Sequence, residues 1–259
     1  MKSGLLARRV LLALACASLP LLISASASAQ YSGTVESDWR QGTRRRESAQ
    51  NWAFELRFGP YYPKVDEEFK NGQQPLKQVF GDTWHFFMGV ELDWQALRLG
   101  NIGSFGPGFG WGYTRMSAPA KLTGTNDNSA ETTSLWIMPM YVAGVFRLDL
   151  LHKEASIPLV PYAKLGLGYA WWRASNELGG SSYDGIPGKG HSYGLHAAGG
   201  LALQLDFLDR GASQQLDNSV GINHSYVYFE WLYSDLGGFG GKQMHVGTSS
   251  WVTGLAFEI

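Results

Sequence analysis

The chain has 259 residues, 21 basic against 22 acidic, and a formal net charge of −1, which excludes the basic footprint of a nucleic-acid binder. Its single cysteine excludes an internal disulfide. Among its 44% apolar residues are 10 tryptophans, and no stretch after the first thirty residues has the roughly 20 consecutive apolar positions of a spanning helix.

In chain order, Lys2, Arg8 and Arg9 precede an apolar run from Val10 to Ile23, and Ala27-Ser28-Ala29 supplies the small-x-small pattern of an export signal. Residues 1–29 are therefore expected to be removed. Cleavage also removes Cys16, whose Ala13-Leu14-Ala15 lead is a poor lipidation site. The signal holds three basic and no acidic residues, so the mature chain falls to −4. Residues 30–51 are polar, carry Arg44-Arg45-Arg46, show no periodicity and read as a flexible periplasmic lead-in.

From Trp52 the pattern alternates with period two, the signature of strands with unlike faces. Trp52, Phe54, Leu56 and Phe58 oppose Ala53, Glu55, Arg57 and Gly59; Trp84 to Trp94 in steps of two oppose His85, Phe87, Gly89, Glu91, Asp93 and Gln95. A third strand sets Leu99, Phe105, Phe109, Trp111 and Tyr113 against Arg98, Ser104, Gly106, Gly108, Gly110 and Gly112. The fourth sets Trp136, Met138, Met140, Val142, Phe146 and Leu148 against Tyr141, Ala143, Arg147 and Asp149. A fifth sets Leu165, Leu167, Tyr169 and Trp171 against Tyr162, Lys164, Gly166 and Gly168, and a sixth sets Leu195, Leu201, Leu203, Leu205 and Phe207 against His196, Gly200, Gln204 and Asp206. Val227, Phe229, Trp231 and Tyr233 oppose Tyr226, Tyr228 and Glu230; Trp251, Leu255, Phe257 and Ile259 oppose Val252, Gly254, Ala256 and Glu258. Short connections are expected near 96–97 and 151–157, and long ones near 60–82, 114–133, 173–192 and 237–246. The connection at 208–223 is longer than its side of the barrel should need.

Eight strands with this alternation predict an all-β, antiparallel, up-and-down barrel over 52–259, and three features turn it inside out. Glycine fills the less apolar face, where a solvated strand carries Thr, Lys and Glu, and small residues suit a narrow interior. Trp84 and Trp94 bracket their strand roughly 23 Å apart along a membrane normal, close to the apolar band between aromatic girdles. The chain closes on Gly254-x-x-Phe257-x-Ile259.

That terminal pattern resembles the signal by which outer-membrane barrels are recognised for insertion. The whole resembles small eight-stranded barrels such as the OmpA transmembrane domain and the OmpW-like proteins. The opening Trp52-x-Phe54-Glu55-Leu56-Arg57-Phe58-Gly59-Pro60-Tyr61, with Val79-Phe80-Gly81, looks closest to a myxobacterial-type family of outer-membrane barrels without assigned activity. The resemblance implies a cell outer membrane location, contact with outer-membrane lipids and lipopolysaccharide, and engagement of the insertion machinery through the final strand. The long loops offer surfaces for extracellular ligands.

Glu55, Arg57, Glu91, Asp93, Arg98, Arg147, Asp149, Asp206 and Glu258 are expected to gather in the periplasmic half of the interior as an ionic plug. A structural or surface-interaction role follows, with a narrow channel for small or apolar solutes and a lipid-modifying enzyme as alternatives. No catalytic, cofactor-binding or metal residue is assigned. His224-Ser225 with Glu230, and His191-Ser192, invite comparison with lipid A hydrolases, but adjacent strand residues face opposite ways. His85 and His196 are read as rim or lumen residues with hydrogen-bond partners. Asn126, Asp127 and Asn128 lack the ligand spacing of a calcium loop, and Tyr183 and Phe239 are loop residues open to surface contact.

Overall fold

The computed structural model describes residues 51–259 except 70–71, 101, 122–127, 152–156, 178, 184, 207, 209–214, 217–218, 220 and 242. The expected export signal, the arginine run, Asn126, Asp127, Phe207 and most of 208–223 lie outside the described residues. Eight long strands follow in order: β1 Trp52–Tyr61, β2 His85–Trp94, β3 Gly103–Lys121, β4 Asn128–Leu148, β5 Leu159–Asn176, β6 Lys189–Gln204, β7 His224–Asp235 and β8 Thr248–Glu258. Each pairs antiparallel with its chain neighbours. β1 then closes on β8, with Leu56 opposite Leu255, and the Ile259 N–H donates to the Trp52 carbonyl at 2.9 Å. Closure leaves the membrane-height part of the sheet with no open edge, the only way strands satisfy their backbone in hydrocarbon.

The face assignments hold strand by strand. Leu165 is 69% exposed and Phe86 65%, whereas Arg57 and Glu91 are 1% exposed. Leaving one such apolar side chain in water forgoes about 1.5–3 kcal/mol, and more than two dozen large apolar residues stand exposed around this wall. A belt of that extent is a lipid-facing surface. The chain is a transmembrane β-barrel. Aromatic rings mark its limits: Trp52 stacks on Trp94 at the lower rim, where both ends of the barrel lie, and Tyr62 tilts against Trp84 at the upper rim.

Several boundaries differ from expectation. The third strand begins at Gly103, because Leu97–Arg98 folds back to pair with Phe105 and Ser104, which leaves Leu99 in the turn. The connections expected at 114–133 and 173–192 are largely strand: β3 runs to Lys121, β4 starts at Asn128, β5 runs to Asn176 and β6 starts at Lys189. The alternation continues there with its sense reversed. Below Trp136 the outward residues are apolar apart from His191; above it Arg115, Ser117, Thr132, Arg173 and Ser175 lie outward, while Met116, Leu135 and Ile137 are buried within. A strand leaving lipid for water must exchange its faces in this way, so the reversal locates the upper membrane boundary on β3–β6.

The glycines of β3 make room for plugging side chains. A Cβ on Gly110 would enter the Tyr141 ring, and one on Gly112 would enter the Phe87 ring. Above them, the β1–β2 loop folds over the mouth through a 3₁₀ turn, Lys64–Glu68, and a short helix α1, Pro75–Phe80. Asp66 accepts the Leu76 and Lys77 N–H groups at 2.7 and 3.1 Å, fixing the start of α1. This seats Val65 and Leu76 in an apolar cluster with Tyr61, Phe87, Met116, Ile137, Leu236 and Val246. The Tyr61 hydroxyl donates to the Val246 carbonyl at 2.6 Å, tying the cap to the β7–β8 loop.

Candidate functional site in the barrel lumen

Alternation points Glu55 and Arg57 of β1, Glu91 and Asp93 of β2, Arg147 of β4, Lys164 of β5 and Glu230 of β7 into the barrel, where all are buried. Arg57 is the hub. Its guanidinium bonds Glu55 at 3.1 Å and also reaches Glu91 and Glu230. Arg147 bridges Glu55 at 2.7 Å and Asp93 at 2.6 Å, and Lys164 holds Glu55, Glu91 and Glu230 at 2.8, 2.7 and 3.1 Å. Four carboxylates thus share three cations drawn from three different strands. Stripping water from each ion costs several kcal/mol, so the arrangement persists only because every charge meets opposite charge.

Aromatic rings complete the layer. Tyr141 donates its hydroxyl to Glu91 and lies face to face on the His196 ring, with centroids 3.6 Å apart. Lys164 sits 5.0 Å above the Tyr162 ring and Arg57 5.6 Å from that of Tyr141. Between the ionic layer and the apolar cap lies a void of about 20 Å³, bordered by Arg57, Tyr61, Phe87, Tyr141, His196 and Leu232. That is room for about one water.

Expectation and observation differ in membership. Glu55, Arg57, Glu91, Asp93 and Arg147 do meet. Glu258 lies beneath them, accepting from Gln95 at 2.8 Å and Tyr226 at 2.9 Å. Arg98 is exposed at the lower rim with its Gln95 contact at 3.5 Å, Asp149 is half-buried just past the end of β4, and Asp206 forms a separate pair with His224. Lys164 and Glu230, assigned to the inner face but not to the plug, are central to it. Their depth depends on strand register: Lys164 faces Val145 and Ala198 across its ladders, and Glu230 faces Val252.

The remaining candidates do not converge. His224 is held by Asp206 and, at 2.9 Å, by Gln204, while Glu230 is engaged by Arg57 and Lys164. Burial works against ionisation of Asp206, but its hydrogen bonds from His224 and Gln204 prevail and hold the carboxyl below its ordinary range. His191 points outward against Tyr169, and Ser192 points inward to the Met244 carbonyl. His85 is at the upper rim as expected. His196 is in the lumen, but its Nε2 has no hydrogen-bond partner and its ring is held by stacking on Tyr141 instead. Phe239 is exposed, at a positive φ of 51°, and tilts against Tyr193. Tyr183 lies in a two-residue strand paired with Ile186–Pro187.

No family model matches the chain, and no curated protein matches it, so the likeness of the β1 segment to a myxobacterial-type family is unconfirmed. Solved structures with a similar strand arrangement include Ail of Yersinia pestis in complex with the heparin analogue sucrose octasulfate (12% identity over 81% of this chain and 97% of that one, TM-score 0.42). OprG of Pseudomonas aeruginosa is 11% identical over 82% of this chain and 96% of that one, with a TM-score of 0.41. The outer membrane enzyme PagL is 13% identical over 82% of this chain and all of that one, with a TM-score of 0.37. The eight-strand closure rests on this chain's own pairing, independently of them.

Proposed function

We propose that the protein is an outer-membrane barrel with a structural or surface-interaction role, whose lumen is closed and whose work is done on its outside. The observation that carries this reading is the double seal: an ionic layer of seven buried charged side chains beneath an apolar cap. In this reading residues 1–29 are an export signal, 30–51 a periplasmic lead-in, and the lower rim faces the periplasm. Lipids and lipopolysaccharide surround the wall, the final strand engages the insertion machinery, and the upper loops meet extracellular ligands.

PagL has a similar strand arrangement and is an enzyme, so architecture does not decide catalysis; the residues must. Support for a non-enzymatic role comes from the separation of Glu230, held by Arg57 and Lys164, from His224 and the Ser225 backbone N–H, which both bond Asp206. Planar-bilayer recording tests the seal. No steady conductance is expected from the full-length protein, and a stable unitary current would replace this reading with a narrow channel. Unchanged lipid A mass on expression is expected as well, and a lost acyl chain would make it an enzyme. Membrane fractionation with surface proteolysis checks the location, with cuts expected in the upper loops alone.

A further inference from the structure

One feature of the outer wall is not used by a sealed barrel. At the level where β3–β6 exchange their faces, strand register sets Arg115 opposite Trp136, Trp136 opposite Arg173, and Arg173 opposite Lys189. Four neighbouring strands, each about 4.8 Å from the next, thus carry three cations and a tryptophan in one lateral row. Arg115, Arg173 and Lys189 are all exposed. No ion pair among the described residues involves any of them.

Two details mark the row as unfinished by the protein alone. Arg173 and Lys189 are direct cross-strand partners, and like charges in that position repel. A second row lies immediately above: Ser117, Ser134 and Ser175 are register partners, the Ser117 and Ser134 hydroxyls are 2.9 Å apart, and Arg115 donates to Ser134 at 3.2 Å. Immediately below, Met138 faces Trp171, which packs edge-on against Trp136 and has the outward His191 across the next ladder, and the wall is apolar beneath that row. The carboxylates of this flank stand higher: Glu177 lies beyond the end of β5, where it accepts the Thr132 N–H at 3.1 Å.

We propose that the Arg115–Trp136–Arg173–Lys189 row, with the Ser117 and Ser175 hydroxyls above it, binds the phosphorylated headgroup of an outer-leaflet lipid whose acyl chains lie along the apolar wall beneath. The proposal rests on the outer-membrane reading and adds a site to it. The cations stand where the strands exchange their faces, Ser117 is exposed beside them, and the tryptophans suit the interface such rings favour. Anionic phosphate relieves the Arg173–Lys189 repulsion, which neither water nor a zwitterionic headgroup does as well.

The test uses the full-length protein in phosphatidylcholine nanodiscs doped with bisphosphorylated lipid A, counting lipid A molecules retained by mass spectrometry after exchange into undoped discs. Each cation contributes about five-fold near a charged surface, so the triple variant Arg115→Gln/Arg173→Gln/Lys189→Gln is expected to lose retention roughly 100-fold, and Arg173→Gln alone about five-fold. Lys77→Gln, in the upper loop, is expected to change nothing. Should the triple variant fail to fold, the three single variants carry the same comparison. Equal retention by the variants, equal retention of dephosphorylated lipid A, or displacement by inorganic phosphate at matched phosphate concentration each overturns the proposal, the last by making the row a free-anion site. Failure of the unaltered protein to insert into the discs would instead sink the outer-membrane reading itself.

Discussion

The lower and upper halves of the lumen are closed by opposite means. Below, Arg57, Arg147 and Lys164 are neutralised by four carboxylates from β1, β2 and β7. Above, Tyr61, Phe87, Met116 and Ile137 pack beneath a lid that carries Val65 and Leu76. Both layers exclude water, yet they fail differently. An ionic layer tolerates loss poorly: one missing cation leaves an excess of buried negative charge that cannot reach water. An apolar layer degrades gradually, through a cavity that neighbours can partly fill.

The largest effect is expected where that asymmetry is sharpest. Arg57→Met leaves Glu91 and Glu230 to share Lys164 as their one cation and should destabilise the barrel by about 3–5 kcal/mol in urea unfolding followed by tryptophan fluorescence. Adding Glu230→Met should recover part of the loss, since a pair replaced by apolar groups leaves no orphan; a double variant as weak as the single would break the contrast. Arg147→Ala, which strands Asp93, should likewise weaken the heat-dependent gel mobility shift more than any loop substitution. In the upper layer Ile137→Ala should cost about 2–4 kcal/mol through its cavity, with folding otherwise intact.

Gly110→Ala probes the boundary between the layers. Its methyl would meet a Tyr141 ring pinned by Glu91 and His196, and a loss of about 1–3 kcal/mol is expected in the same assay. The smallest effect lies outside the membrane-spanning part. Asp206 titrates below its ordinary value in the folded state, so its ionised form stabilises the fold. Protonation removes that contribution: the stability gap between the native protein and Asp206→Asn should be present at about pH 7, shrink as the pH falls below the free carboxylate value of about 3.9, and vanish once the folded value is passed. A gap that widened in acid would contradict the geometry at the lower rim.

Which side chains face inward was legible in the sequence, because alternation needs only local parity: within the described parts of the eight strands the expected faces hold, and Arg98 and Leu99 depart from it because they lie before β3. Depth was not legible. Lys164 joins Glu55, Glu91 and Glu230 only once β5, β1, β2 and β7 are in register around a closed barrel, and no one-dimensional pattern carries that sum of offsets. The stretches 114–121 and 128–133 were misread for a different reason. They alternate as well as the rest, but with polar residues outward, so the continuing apolar face ends at Tyr113 and Trp136 although the ladder runs on to Lys121 and Asn128.

That ladder makes the barrel wall uneven in height. β3–β6 have 16 to 21 residues each and β1 and β2 have 10, so one flank rises as a parapet while the opposite rim ends near the bilayer. From Trp136 to Asn128 the climb is roughly 19 Å at usual strand rise and tilt. With the lower rim in the periplasm, as proposed above, an antibody, a phage fibre or a neighbouring cell would touch that parapet before the short side.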